Sequence, residues 1–199
     1  AEALEKMPQD CLLLYNSERA DSRMALEEFE VILTDMKVGH DTVDLSRTDT
    51  WSFKGYKTTV LLLSNLSDLG EKLTELNQWV LDGGGALLPM TLSKEPYFSV
   101  MEQKFALVDS IYVTENFMAG GGQGFAITDA WDSALVVRVA ESDQVKIHAY
   151  TDDDRKLPLV WESRYGNGRF VLDNFGIYTK EMRGIYAASY SLLTPVTVY

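Results

Sequence analysis

The sequence predicts a doubly wound, mainly parallel α/β sheet with an added antiparallel β-rich part. Three observations carry this expectation. From Asp10 to Met90 the pattern runs strand, helix, strand, loop, strand, helix, strand, the alternation that parallel strands with crossover connections require. The run "TTVLLLSNL" is apolar on both faces, as a central parallel strand is. Further on, short β-branched and aromatic segments are separated by turn-rich stretches, and Gly166-Asn167-Gly168 joins two of them. That is a hairpin signal, because both glycines tolerate positive φ.

Each element has its own reason. "DCLLLYNS" is a short apolar run closed by turn residues, hence a buried first strand. In "SRMALEEFEVILTDM", Ala25, Phe29, Ile32, Leu33 and Met36 fall on one helical face, with Ser22 placed as an N-cap. "VGHDTVDLS" is the second strand, and the polar, aromatic loop "RTDTWSFKGYK" leads to the third. "SDLGEKLTELNQWVLD" sets Leu69, Leu73, Leu76 and Val80 on one stripe, capped by Ser67 or Asp68, and "ALLPM" is the fourth strand. "EPYFSVMEQKFAL" is expected to hold a short helix. "SIYVTE", "GFAIT", "ALVVRVA", "VKIHAY" and the two halves of "PLVWESRYGNGRFVLDNFG" read as strands. The final helix, "TKEMRGIYAASYSLL", turns Met182, Ile185, Ala188 or Ser189, and Leu192 toward a core.

Composition narrows the function classes. The 199 residues are 46% apolar, enough for one sizeable core, and carry 18 basic against 30 acidic residues, a net charge of -12. Nucleic acid is not an expected partner, since phosphate binding needs clustered Lys and Arg. The acidity reads as a solvated surface, although it would also attract a cationic polymer. Cys11, His40 and His148 are the only cysteine and histidines, so no internal disulfide, metal centre or cofactor is expected. No run approaches the roughly 18 apolar residues of a membrane helix, so no membrane insertion by this segment is expected. The polar opening "AEALEKMPQD" and the apolar close "SLLTPVTVY" read as the ends of a piece of a longer protein.

The glycines of "LDGGGALLPMT" raise the question of a phosphate cradle. A P-loop needs Lys and Ser or Thr directly after its glycines, and a dinucleotide fingerprint opens a helix after a strand. Here the order is helix, glycines, strand, which is a helix C-cap followed by a tight turn. "MAGGGQGF" reads as a surface loop, with a ligand-contacting lid as the alternative. The adjacent aspartates 152–154 read as a charged turn, because calcium loops alternate ligands with spacers. Ligands of doubly wound sheets bind at the carboxyl ends of the strands. That rule selects Asn16, Ser17, Glu18 and Arg19 after the first strand, Ser64 and Asn65 after the third, and Met90 and Thr91 after the fourth. Trp51 and Tyr56 are expected to overhang the crevice.

"TTVLLLSNLSD", a helix ending "LNQWVLDGGGALLP", and "PLVWESRYGNGRFVLDNFG" before a last helix together resemble the class I glutamine amidotransferase-like, flavodoxin-like fold. The similarity is to its non-amidotransferase branches, the ThuA-like proteins and β-galactosidase middle domains. It also resembles the N-terminal part of an uncharacterised bacterial family that couples such a domain to a polysaccharide-deacetylase-like domain. The resemblance implies a 1–9 extension and one amidotransferase-like domain over 10–193, with a β-rich insertion at about 105–157. Residues 194–199 would then begin a linker to a C-terminal domain of the parent chain. Active amidotransferases keep a nucleophilic cysteine on the turn after the fourth strand, activated by His and Glu. That turn reads Pro89-Met90-Thr91-Leu92 here, and no His follows His148, so no catalytic residue is assigned. An H-x-x-x-H metal pair for deacetylation is likewise lacking in this segment.

The resulting expectation is a non-catalytic accessory domain of an exported, cell-surface or extracellular polysaccharide-modifying protein. Its partners would be a polysaccharide and the C-terminal domain of its own chain. Trp51, Tyr56, Tyr97 and Trp131 would stack on sugar if exposed, or pack in cores and interfaces if not. Two alternatives stand beside it: a hydrolase using two of Asp44, Asp49, Asp129 and Asp132, or a purely structural interaction module.

Overall fold

The computed structural model describes residues 8–63, 66–89, 97–100, 103–113, 117–119, 131–138, 143–151, 158–173 and 183–193. In chain order these form β1 (Gln9–Tyr15), α1 (Ala20–Asp35), β2 (Gly39–Asp44), β3 (Thr58–Leu62), a single 3-10 turn (Leu66–Leu69), α2 (Lys72–Leu81) and β4 (Gly85–Leu88). There follow β5 (Tyr97–Val100), β6 (Gln103–Val113), β7 (Phe117–Ala119), β8 (Trp131–Arg138), β9 (Val145–Thr151), β10 (Pro158–Tyr165), β11 (Gly168–Asp173) and α3 (Arg183–Ser191).

An eight-stranded sheet runs in the order β2-β1-β3-β4-β11-β10-β9-β7. From β2 to β11 every pairing is parallel, and from β11 to β7 every pairing is antiparallel. β5, β6 and β8 make a separate antiparallel sheet. The fold is therefore the α/β, mainly parallel arrangement that the strand–helix alternation predicts. Alternation along each strand divides the core in two. Cys11, Leu13, Val60, Leu62 and Val171 face α1 and α3, meeting Phe29, Leu33 and Tyr186. Leu12, Leu14, Leu61, Leu63, Ala86 and Phe170 face the other way, toward Leu76 and Val80 of α2 and Phe53 of the β2–β3 loop. Burial on both faces explains why β1 and β3 read as unbroken apolar runs.

Several local expectations are corrected. The chain enters α1 at Ala20, with Arg19 at the N-cap position and no side-chain cap. Ser22 is therefore inside the helix, where it is buried; it accepts from the Asn16 amide at 2.9 Å and donates to the Leu62 carbonyl. Its hydroxyl ties the ends of β1 and β3 together instead of capping. The next helix is shorter than its stripe suggests. Leu66–Leu69 forms a 3-10 turn, Gly70 takes φ 54, and α2 starts only at Lys72, preceded by Glu71 without a cap bond. Leu69, Leu76 and Val80 are nonetheless buried on one side. The helix expected in "EPYFSVMEQKFAL" is absent: β5 and β6 pair there as a hairpin, Val100 opposite Gln103. Ladder hydrogen bonds with a neighbouring strand outweighed weak helix periodicity. In α3 the buried stripe is Ile185, Tyr186, Ser189 and Tyr190, wider than expected. Met182, "GFAIT", residues 120–130 and residues 152–157 lie outside the described residues.

The three glycines behave as a helix terminator. Asp82 is the C-cap of α2, the Gly83 amide donates to the Val80 carbonyl at 3.0 Å, and the Gly84 amide donates to Trp79 at 3.0 Å. That pair of bonds is a Schellman motif, and Gly83 at φ 128 occupies its left-handed position. The hairpin turn between β10 and β11 docks on this motif. Asn167 donates to the Leu81 carbonyl at 2.9 Å and Arg169 to the Gly84 carbonyl at 3.2 Å. At Gly168 a Cβ would lie 2.0 Å from the Val80 carbonyl oxygen, so only glycine permits this approach. Two glycine clusters far apart in sequence thus lock α2, β4 and β11 together.

Candidate functional site

The strand order places a topological switch between β1 and β3: the connection from β1 leads to β2 on one side, while β3 leads to β4 on the other. Loops diverge there and leave a crevice at the carboxyl ends. At the β1–β3 switch the described polar side chains pair with one another. Arg19 grips Asp68 through Nε at 2.8 Å and Nη2 at 3.0 Å, and Asn16 Nδ2 donates to the same carboxylate at 3.3 Å. The Ser17 amide donates to Asp44 Oδ1 at 3.0 Å, while its hydroxyl pairs with Ser46 at 2.9 Å. Glu18 is exposed, and its amide closes a turn on Asn16 Oδ1 at 3.0 Å. The four residues of the first loop are therefore brought together as a latch between strand ends.

Asp44, at the end of β2, is the hub of the other half of that latch. Burial by itself would raise its pKa, but the hydroxyls and amides of Ser17 and Ser46 outweigh it and hold the carboxyl down at about 2. Arg47 adds an ion pair at 3.1 Å. A carboxylate so committed is a structural anchor; as one member of an acid/base pair it is poorly placed.

Beside the latch, on the α2 side, lies a cleft of about 560 Å³, within the range of small-molecule sites. One wall comes from the β2–β3 loop: Leu45, Thr48, Asp49 and Trp51. The other comes from the 3-10 turn and the start of α2: Asp68, Leu69, Glu71, Lys72 and Glu75. This cleft exists because β2 and β3 are joined by a loop and not by a helix, so residues 45–57 fold down onto α2. Lys72 fastens the fold-down. Its Nζ donates to the Trp51 carbonyl and to Glu75 Oε2, each at 2.6 Å, and sits 5.1 Å from the Trp51 ring centroid. The Phe53 amide donates to Glu75 Oε1 at 3.4 Å. The Lys72 ammonium, helped by that amide, holds the Glu75 carboxyl below its ordinary value. Trp51 meets Phe53 edge-on at 5.0 Å, and Phe53 stacks on Trp79 at 5.2 Å, so the indole is held rigidly at the cleft wall.

Of the residues picked from sequence, Trp51 lines this cleft, and Asn16 and Arg19 adjoin it through Asp68. Tyr56 does not overhang the crevice. The loop must return to the amino end of a parallel β3, which carries Tyr56 to the opposite end of the sheet. There its hydroxyl donates to Asp41 at 2.8 Å, and burial together with that bond pushes the phenol up to about 12. Ser64, Asn65, Met90 and Thr91 lie outside the described residues, as do Asp129 and the side chains of Tyr97, Trp131 and Asp132. Sequence reasoning missed Glu71, Lys72 and Glu75 as wall residues, since they read only as the polar face of a helix. The available signal was a tryptophan inside an otherwise polar loop.

The remaining reactive groups are placed elsewhere. Cys11 is fully buried in β1, where burial pushes its thiol up to about 11 against the lowering effect of Thr58 and Tyr190. His40 Nδ1 lies 3.1 Å from the Val38 carbonyl on the edge strand β2. His148 Nε2 lies 3.2 Å from Glu162 across the β9–β10 pair, with Arg169 at 4.0 Å. Among the described residues no three His, Cys, Asp or Glu side chains converge as a metal site, and no helix is long and apolar enough to cross a membrane.

Solved structures share this architecture. A catalytic mutant of Gan42B, a GH42 β-galactosidase from G. stearothermophilus, superposes with a TM-score of 0.67 at 15% identity, over 96% of this chain and 31% of that one. The chain thus spans under a third of the β-galactosidase. A cytoplasmic protein from Salmonella typhimurium gives a TM-score of 0.59 at 12% identity, covering 92% of this chain and 96% of that chain. A thua-like protein from Bacteroides uniformis gives 0.55 at 11%, covering 94% and 93%. These similarities show the class I glutamine amidotransferase-like fold. No curated protein matches the chain. The family model described as "Uncharacterised protein conserved in bacteria (DUF2194)" matches residues 3–116, and the chain belongs to that family.

Proposed function

We propose that this domain is a non-catalytic, carbohydrate-binding accessory module of a bacterial cell-surface or secreted polysaccharide-modifying protein. The observation that carries the reading is the cleft beside the switch point, where a rigid indole faces hydrogen-bonding side chains. Sugars present apolar C–H faces and a rim of hydroxyls, which an aromatic wall and carboxylate acceptors complement. A similar fold forms part of a GH42 β-galactosidase chain, which supports a setting in carbohydrate chemistry. The buried Cys11 thiol supports a module without amidotransferase chemistry, since a nucleophile needs a low pKa and access. The proposal includes a further domain of the parent chain, of the polysaccharide-deacetylase type, as the catalytic partner.

A hydrolase is the second reading, favoured by the carboxylates that line the cleft. Against it, Lys72 holds Glu75 ionised and Arg19 engages Asp68, whereas a general acid needs its pKa raised. Calorimetric titration with a panel of oligosaccharides separates the readings. Saturable binding that is lost in Trp51→Ala, with no new reducing ends on long incubation, is the expected result. Absence of binding to every oligosaccharide overturns the proposal, and release of reducing sugar replaces it with the hydrolase.

A further inference from the structure

The charges of the cleft carry the reading further, to the class of sugar. The walls hold four carboxylates, Asp49, Asp68, Glu71 and Glu75, against one ammonium, Lys72. Lys72 is neutralised by Glu75 at 2.6 Å and Asp68 by Arg19 at 2.8 Å. Asp49 and Glu71 make no ion pair among the described residues, so the cleft keeps two uncompensated negative charges beside the indole. A concave site lined by one sign of charge concentrates its field and selects the opposite sign. A compact metal ion would need several ligands on one point, and among the described residues no such group of three forms. Charge spread along two walls next to an aromatic face suits an extended organic cation instead.

Resting on the carbohydrate reading above, we infer that the cleft prefers an amino sugar with free amines. Its ammonium groups pair with Asp49 and Glu71, and its ring packs on Trp51. A neutral or N-acylated oligomer keeps the indole contact but loses both ion pairs. An acidic oligomer meets repulsion. The preference belongs to the cleft and not to the net charge of the chain, which sets up the control.

The test titrates the protein, at mildly acidic pH, with a glucosamine oligomer, its N-acetylated counterpart and a uronic acid oligomer of equal length. The expected result is about tenfold tighter binding of the glucosamine oligomer than of the acetylated one, a preference that falls with salt. Asp49→Asn with Glu71→Gln brings the two affinities to parity, and an unchanged circular-dichroism spectrum and thermal midpoint report that the variant is folded. Glu27→Gln with Glu30→Gln, exposed on α1, removes the same charge at a distance and leaves the preference intact. Equal affinities in the unmodified protein, or loss of the preference in the α1 variant, overturn the inference while the carbohydrate cleft stands. No binding of any oligomer overturns both.

Discussion

Arg19 and Asp68 meet side-on, Nε to Oδ2 at 2.8 Å and Nη2 to Oδ1 at 3.0 Å, and so join the loop after β1 to the turn after β3. The bidentate geometry matters because a planar fork fixes both partners, which a single ammonium cannot do. Arg19→Lys is therefore expected to loosen the latch although charge is kept. Amide hydrogen exchange at Ser17–Arg19 should quicken in that variant, while β1 and β3 keep their protection. Unchanged exchange in the loop would mean that the Ser17–Asp44 bonds alone hold it.

Asp44 links stability to pH. Its folded carboxyl is depressed to about 2 from an ordinary value of 3.8. A depressed acid contributes fully above its unfolded value and loses that contribution as pH falls between 3.8 and about 2. Asp44→Asn should cost about 1 kcal/mol at neutral pH, discounted for the solvent-facing side of the site. Urea unfolding across acid pH should show a shallower acid limb in the variant, and parallel limbs would contradict the assignment.

Gly168, buried at the start of β11, is expected to tolerate no side chain. An added Cβ would stand 2.0 Å from the Val80 carbonyl oxygen and 2.3 Å from that of Gly84. Both obstacles are backbone, so the hairpin must move away from α2 and give up the Asn167–Leu81 bond. Gly168→Ala should lose about 3 kcal/mol in chemical denaturation. A loss below about 0.5 kcal/mol, the ordinary range for surface changes, would show that the glycine clusters do not interlock.

Cys11 gives a probe of the core. Burial holds its thiol at about 11, so neither thiolate nor access is present in the folded chain. A thiol reagent should leave the native protein unlabelled even at mildly alkaline pH and label one site per chain in urea. Rapid native labelling would place Cys11 near a surface and remove the contrast with amidotransferases.

How much of this was legible beforehand depends on how local the cause was. Leu12, Leu13 and Leu14, or Val60, Leu61 and Leu62, announce a strand buried on both faces, because an apolar run this short between turn residues is too brief for a buried helix. The helix end at Gly83 and the hairpin at Gly166 were also legible, since positive φ leaves a mark in residue choice. The β5–β6 hairpin was not, because helix or strand is decided there by a partner strand.

The sequence by itself determined the order of elements from β1 to β4, the double-sided core and the absence of a cysteine at residues 89–92. Only the tertiary structure decided where a ligand could sit. The carboxyl-end rule pointed to the β1–β3 crevice, where, among the described residues, Arg19 and Asn16 are engaged by Asp68. The open cleft arises one step aside, where a connection without a helix lies against α2 and Lys72 pins Trp51. Which polar side chains neutralise each other and which stay free is a matter of distances between remote segments, and periodicity along one chain carries no record of them.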